Sequence, residues 1–493
     1  MAKKSRERKL SRKEYDARLA VLRSELVQMQ VELKNARVST LIVIAGVEAS
    51  GKGEIVNLLN AWLDPRGTNT FGFRSPTDEE RERPPMWRYW RSLPYRGRIG
   101  IYAGGWHGDA LRQEPRDAAG TREFDTTLRR LARFESELAA DGSLIIKIWL
   151  HLSERAQAER MLDLESDART AWRVSAEDWR SHRQYEYLAR LSRRMRKATE
   201  VPGAPWEIIS ADRERQRNLA VAEHILARFR AYHRVNRRPT VAVRPETIRP
   251  LAPAGRRRLT ALPLDQELTS EEYEEKRDKW LGRLHRAFRE ASLARRPVIL
   301  VFEGWDAAGK GGAIRRLSEA IDARDCRVIP VSKPTDEEKA HHYLWRFWRH
   351  VPRAGLVTIY DRSWYGRVLV ERIEGFARSN EWRRAYAEIN EFERELVENG
   401  AILLKFWLQV SKTEQLRRFR DRETTDYKRH KMDLEDWRNR RKWEAYEVCV
   451  GDMLALTETR LAPWHLIPAE NKRYARLEII RTTCREIRAA LGE

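Results

Sequence analysis

Gly304-Trp305-Asp306-Ala307-Ala308-Gly309-Lys310-Gly311-Gly312 follows the apolar run Pro297 to Phe302 and precedes a polar stretch that carries no breaker. A buried strand, a glycine-rich turn and a helix in that order make the first unit of a parallel sheet. Such a turn wraps phosphate oxygens with backbone N–H groups, and its lysine reaches the terminal phosphates. Gly304, Gly309 and Lys310 satisfy this pattern, and Ala308, Gly311 and Gly312 complete the predicted phosphate cradle. Position 311 departs from it. The Ser or Thr hydroxyl that usually binds Mg²⁺ there is replaced by glycine, so another group must hold the metal. Asp306 lies inside the loop, where a carboxylate repels phosphate unless a cation intervenes. It is therefore predicted to hold Mg²⁺, with Mn²⁺ as the alternative ion, and it can also accept a proton from an attacking phosphate oxygen.

The same turn occurs earlier, as Gly46-Val47-Glu48-Ala49-Ser50-Gly51-Lys52-Gly53, displaced by 258 positions (46 against 304). That displacement recurs along the chain. Pro76 to Glu80 matches Pro334 to Glu338, and Trp87-Arg88-Tyr89-Trp90 matches Trp345-Arg346-Phe347-Trp348. Lys147, Trp149 and Leu150 meet Lys405, Trp407 and Leu408; Asp178-Trp179-Arg180 meets Asp436-Trp437-Arg438; Pro205-Trp206 meets Pro463-Trp464. One register held this long means that a whole domain is duplicated, which excludes a solenoid of short repeats. The reading is α/β: two tandem P-loop kinase-like domains, each a doubly wound parallel sheet flanked by helices with a helical lid. Their predicted spans are 1–235 and 265–493. The stretch 236–264, with five prolines and the basic run Arg256-Arg257-Arg258, reads as an extended Pro/Arg-rich linker.

Further apolar strands are predicted in the second copy at Leu356 to Tyr360 and Ile402 to Leu408. The first of these ends in Asp361-Arg362-Ser363. Ligands of a doubly wound sheet bind at the C-terminal ends of its strands, so Asp361 is placed for Mg²⁺ and Arg362 for a transferring phosphoryl group. Asp306, Lys310, Asp361 and Arg362 form the predicted catalytic set. Lys333, Arg367 and Arg372 are expected to add cations near the same edge. Arg420, Arg422, Lys428, Arg429 and Lys431 supply a basic lid within the polar helical stretch Ser411 to Lys442.

Bulk properties narrow the choice of partner. The chain has 493 residues and a net charge of +22, with 41% hydrophobic and 34% charged residues. No apolar run approaches the roughly 18 residues of a membrane span, and no apolar segment follows the basic Met1 to Arg12 as in a signal peptide, so a cytoplasmic protein is expected. The three cysteines, Cys326, Cys449 and Cys484, are odd in number and widely spaced, which predicts free thiols. A surplus of positive charge this large attracts polyanions: nucleic acid, anionic lipid, or a polymer of phosphates.

The second copy resembles the polyphosphate kinase 2 family, which joins a loop of the form Gly-x-Asp-x-x-Gly-Lys-Gly-Gly to an Asp-Arg-Ser strand end. The likeness continues through Ser332-Lys333-Pro334, Leu344-Trp345-Arg346, Asp361 to Arg372, Asn390-Glu391-Phe392-Glu393 and Lys405 to Leu408. It implies transfer of phosphate between inorganic polyphosphate and nucleotides with Mg²⁺, and the fused two-domain form implies conversion of AMP to ADP. Neither a membrane nor a specific nucleic acid is expected as partner. The rival readings are a polyphosphate-dependent kinase of ADP or GDP, an ATP-dependent nucleotide kinase and a non-catalytic polyanion binder. Gly311 weighs against the ATP-dependent kinase. The repeated aromatic clusters, which read as packing, weigh against a binder that stacks bases on its 18 tryptophans.

Comparison of the two copies separates framework from chemistry. Asp306, Lys333, Asp361 and Arg362 face Glu48, Ser75, Ala103 and Gly104, and Gly312 faces Glu54, a carboxylate aimed at the helix N-terminus that should receive phosphate. Arg420, Arg422, Lys428 and Arg429 face Leu162, Leu164, Thr170 and Ala171. The first copy is therefore expected to be catalytically silent and to stand in for the second subunit of a homodimer, with further homo-oligomerisation open.

Overall fold

The computed structural model describes residues 10–112, 118–236, 248–424 and 434–492. Two five-stranded sheets are present, both entirely parallel. The first runs β2-β3-β1-β4-β5, with β1 Thr40–Gly46, β2 Thr68–Gly72, β3 Ile99–Ala103, β4 Leu144–His151 and β5 Trp206–Ser210. The second repeats that order as β7-β8-β6-β9-β10, with β6 Val298–Gly304, β7 Cys326–Pro330, β8 Val357–Asp361, β9 Ile402–Gln409 and β10 Trp464–Pro468. The central strands β1 and β6 pair on both edges and are buried along nearly their whole length, with both faces covered by the flanking helices, which is why they read as unbroken apolar runs. The edge strands β2, β5 and β7 are largely exposed and carry no such run.

The chain forms two compact units. The first comprises Met1–Pro76, Ser92–Thr240 and Asp336–His342, and the second comprises Thr77–Arg91, Val241–Thr335 and Tyr343–Glu493. A short segment of each repeat is thus counted with the other repeat's unit. Within the second unit Trp90 stacks on Trp348 with ring centroids 5.8 Å apart and planes inclined by 15°, and these two residues occupy counterpart positions of the repeat.

Each sheet is flanked by helices. A long helix opens each repeat, Arg12–Asn35 and Ser270–Leu293, and both begin with a capping box, at Ser11 and at Thr269. Both repeats also bury one polar constellation. Lys147 reaches the Glu135 carboxylate (2.6 Å) and lies beside Trp206, while Lys405 reaches Glu393 (2.8 Å), the Tyr365 hydroxyl (3.0 Å) and the Thr457 carbonyl (2.8 Å). Because both copies keep it, this buried pair belongs to the framework.

The linker is only partly extended. Pro253–Thr260 is helical and packs on the helix Trp443–Leu456, where a Cβ at Gly255 would collide with the Gly451 carbonyl. All three cysteines carry free thiols. Among the described residues, no helix is long and apolar enough to cross a membrane.

Candidate active site

Strands β6 and β8 lie side by side with Phe302 level with Asp361, so the loops that leave their C-terminal ends share one edge. Gly304 to Gly312 leaves β6 and leads into the helix Lys310–Ser318; Asp361 and Arg362 leave β8. A cavity of ≈ 410 Å³ opens between them, lined by Asp306, Ala308 to Gly312, Asp361, Arg362, Arg422 and Asp436. Lys310 is buried, and its ammonium donates to the carbonyls of Gly304 (2.6 Å) and Trp305 (3.0 Å). Burial lowers its pKa, with Arg362 adding to the effect and Asp306, Asp361 and Glu303 opposing it.

Asp306 is held from two sides. Arg362 Nη2 donates to its Oδ1 (2.9 Å), and Asn439 Nδ2, from the helix Leu434–Arg441, donates to its Oδ2 (2.9 Å). Gln415 Nε2 donates to its backbone carbonyl (3.1 Å). Asp361 differs: its carboxylate has no hydrogen-bond or ion-pair partner among the described residues, and it faces the same cavity. Arg362 adopts φ +64°, a left-handed conformation unusual for a residue with a side chain. Its backbone N–H donates to the Phe302 carbonyl (3.0 Å), which aims the guanidinium across the loop at Asp306. Beneath it, Ser363 donates to the buried Glu303 carboxyl (2.8 Å), and burial pushes that carboxyl's pKa up.

A model of the family described as Polyphosphate kinase 2 (PPK2) matches residues 9–237 and again residues 267–492. The chain belongs to the polyphosphate kinase 2 family. A relative from Pseudomonas aeruginosa named Polyphosphate:AMP phosphotransferase is 43% identical over 97% of this chain and 96% of its own. One of the same name from Acinetobacter johnsonii is 34% identical over 94% and 95%. A crystal structure of a polyphosphate kinase 2 from Pseudomonas aeruginosa superposes with a TM-score of 0.88 at 41% identity, covering 99% of this chain and 98% of that one.

Both polyphosphate kinase 2 repeats build the loop on the same register, yet its surroundings differ. In the first repeat Lys52 donates to the carbonyls of Gly46 and Val47 (both 3.2 Å) and to the Glu48 carboxylate (2.8 Å). Glu54, counterpart of Gly312, accepts from Arg160 (2.8 Å), Arg173 (3.2 Å) and the fully buried Arg217 (2.8 Å). Burial works against the charge of Glu54, but Arg160 and Arg217 outweigh it and hold the carboxyl below its usual pKa. Arg217 also donates to the Ser50 carbonyl (3.0 Å), so a side-chain carboxylate and its arginines fill the start of the helix Lys52–Trp62. At the β3 end, Gly104 takes the left-handed conformation (φ +73°) that Arg362 takes in the second repeat.

Not every predicted cation reaches the cavity. Arg372 is a correction: it sits in the helix Val370–Ile373, is 6% exposed, and lies 4.1 Å from the Trp382 ring. Its guanidinium donates to Asp452 (2.8 Å), the Tyr386 hydroxyl (3.0 Å) and the Arg249 carbonyl (3.1 Å). Asp452 in turn accepts from the N–H groups of Leu251 and Ala252, so this pair anchors the linker and is withdrawn from phosphate. Arg367 is paired with Glu371 (3.0 Å) over the Tyr343 ring and is absent from the cavity wall. Lys333 and Arg420 are exposed and absent from the cavity wall, Arg422 lines the cavity, and Lys428, Arg429 and Lys431 lie outside the described residues.

Sequence reasoning missed several neighbours of the loop. Arg418, 2% exposed, donates to the carbonyls of Ala307, Ala308, Ala469 and Glu470 and so braces the turn from behind. Trp305 stacks flat on Trp443 at 3.6 Å. Asn439 faces Ser181 in the other repeat and Trp305 faces Val47, so the comparison that singled out Asp306 could also have found them.

Proposed function

We propose that the chain is a polyphosphate:AMP phosphotransferase acting through its second domain. The observation that carries this reading is the convergence of the lysine of the loop, Asp361 and the guanidinium of Arg362 on one open cavity. The names of the relatives that match nearly end to end supply the nucleotide. In the reaction, the bond between the terminal phosphorus of polyphosphate and its bridging oxygen breaks. A new bond forms to a phosphate oxygen of AMP, giving ADP and a chain one phosphate shorter. Lys310 and the N–H groups of the loop bind phosphate oxygens. Arg362 neutralises charge on the transferring group, a role worth on the order of 10³–10⁵ in rate in enzymes of this kind.

The donor set suits Mg²⁺. This small, hard cation keeps several waters and takes one or two carboxylates together with substrate phosphates. Asp361 offers a carboxylate with no protein partner among the described residues, and Asp306 a second one oriented by Asn439 and Arg362. When bound, the cation supplies charge neutralisation between neighbouring phosphates.

The first domain, within 1–235, serves in this reading as a non-catalytic packing partner, with 236–264 as the linker and 265–493 as the catalytic domain. The constant register of the two repeats supports descent from a duplicated symmetric pair. The test is full-length protein with Mg²⁺, AMP and polyphosphate, followed by chromatography for ADP, with ATP offered separately as donor. ADP from polyphosphate supports the reading; ADP from ATP alone rejects it.

A further inference from the structure

The two repeats each deliver a guanidinium to the start of the phosphate-loop helix, but from different positions. In the first it is Arg217, whose Nη1 a Cβ at Gly51 would strike, and its partner is the Glu54 carboxylate. In the second, position 475 is alanine and the arginine sits one residue later, at Arg476 on the helix Lys472–Leu491. A Cβ at Gly312 would lie 3.1 Å from Arg476 Nη2. Gly312 is the counterpart of Glu54 and lines the cavity of the active site. Arg476 has no ion-pair or hydrogen-bond partner among the described residues, whereas Arg217 donates to Ser50, Glu54 and Asn218.

Glu54 thus marks, inside the same molecule, where this fold receives an anion at the first turn of the helix. A carboxylate and the anionic non-bridging oxygens of a phosphoryl group make the same demand there: charge-assisted donation from a guanidinium and proximity to the positive end of the helix. The absence of a side chain at Gly312 leaves that position open to a substrate group.

We propose that Arg476 is a polyphosphate-binding residue of the catalytic domain, holding a phosphoryl group of the donor over Gly312, where the first domain holds its own Glu54 carboxylate. The proposal rests on the polyphosphate reading above and adds a subsite outside the loop itself. Arg476 lies on the C-terminal helix, a different element from those that carry Asp306, Arg362 and Asn439, and the proposal assigns its loss to the donor.

The experiment is steady-state ADP formation by full-length Arg476→Ala, Arg476→Gln and Arg476→Lys, with polyphosphate varied at saturating AMP and AMP varied at saturating polyphosphate. The expected result is a KM for polyphosphate raised about tenfold in the Ala and Gln variants, the size of one lost charge-assisted contact. The KM for AMP and kcat stay within about twofold, and Lys restores most of the donor affinity. An unchanged KM for polyphosphate, or an equal rise in both KM values, overturns the proposal. If the wild type makes no ADP from polyphosphate, the activity reading fails by itself. Equilibrium dialysis of polyphosphate against wild type and Arg476→Gln then judges the subsite: about tenfold weaker binding upholds it and equal binding overturns it.

Discussion

The two phosphate loops of this chain share a register, a lysine and a strand-to-helix frame, and they differ in what faces them. The first is closed on itself: Lys52 is engaged by Glu48, and Glu54 is gripped by Arg160, Arg173 and Arg217. The second exposes Asp361 and Arg362 to a cavity and puts glycine where the first has Glu54. The difference teaches that a glycine-rich loop is a scaffold. Its chemistry depends on whether neighbouring charges point at a substrate or at one another.

The strand ends show the same division as backbone strain. Gly104 takes its left-handed φ without steric cost, while Arg362 takes it with a side chain attached, at about 1–3 kcal/mol. That strain is kept in the one repeat whose strand-end guanidinium lines the cavity.

The comparison is easiest to break at Arg362. Arg362→Ala is expected to lower kcat by on the order of 10³–10⁵, measured as ADP formed at saturating substrates. A loss below about tenfold would remove Arg362 from the chemistry. Next in size is Gly312→Glu, which gives the second loop the carboxylate of the first. It should set its charge against Arg476 and repel the donor, cutting kcat/KM for polyphosphate by on the order of 10². A smaller effect separates strain from charge: Arg362→Gly and Arg362→Ala both lack the guanidinium, but only glycine relaxes the backbone. Arg362→Gly should melt about 2–4 °C above Arg362→Ala by calorimetry.

The smallest effect concerns pH. Because Glu54 has a lowered pKa in the folded protein, its stabilising contribution is complete above the ordinary glutamate range and is lost as pH falls through the folded value. Wild type should therefore exceed Glu54→Gln in stability near neutral pH, and the gap should close on acidification. A gap independent of pH would mean that the three arginines do not hold a charged carboxylate.

Much of this was legible in the sequence because duplication writes its own control. The constant displacement exposed the duplication, and the exchange of Asp361-Arg362 for Ala103-Gly104 pointed to the strand end that lines the cavity. The edge strands β2, β5 and β7 were not legible, since half-exposed edges carry no apolar run. Arg372 was misread because charge in a sequence does not reveal a buried partner 80 residues away, here Asp452. Arg418 and Arg217 were hidden for the opposite reason: among 96 lysines and arginines, nothing local marks the two that turn inward to brace a loop.

The central claim, that one loop works and its near-copy does not, is tested most directly by the two loop lysines. ADP formation from AMP and polyphosphate should fall by on the order of 10²–10³ in Lys310→Ala, as for loss of one preorganised donor to the transition state. In Lys52→Ala it should stay within about twofold of wild type. Comparable losses from both substitutions would contradict the account and make the first loop part of the enzyme's working machinery.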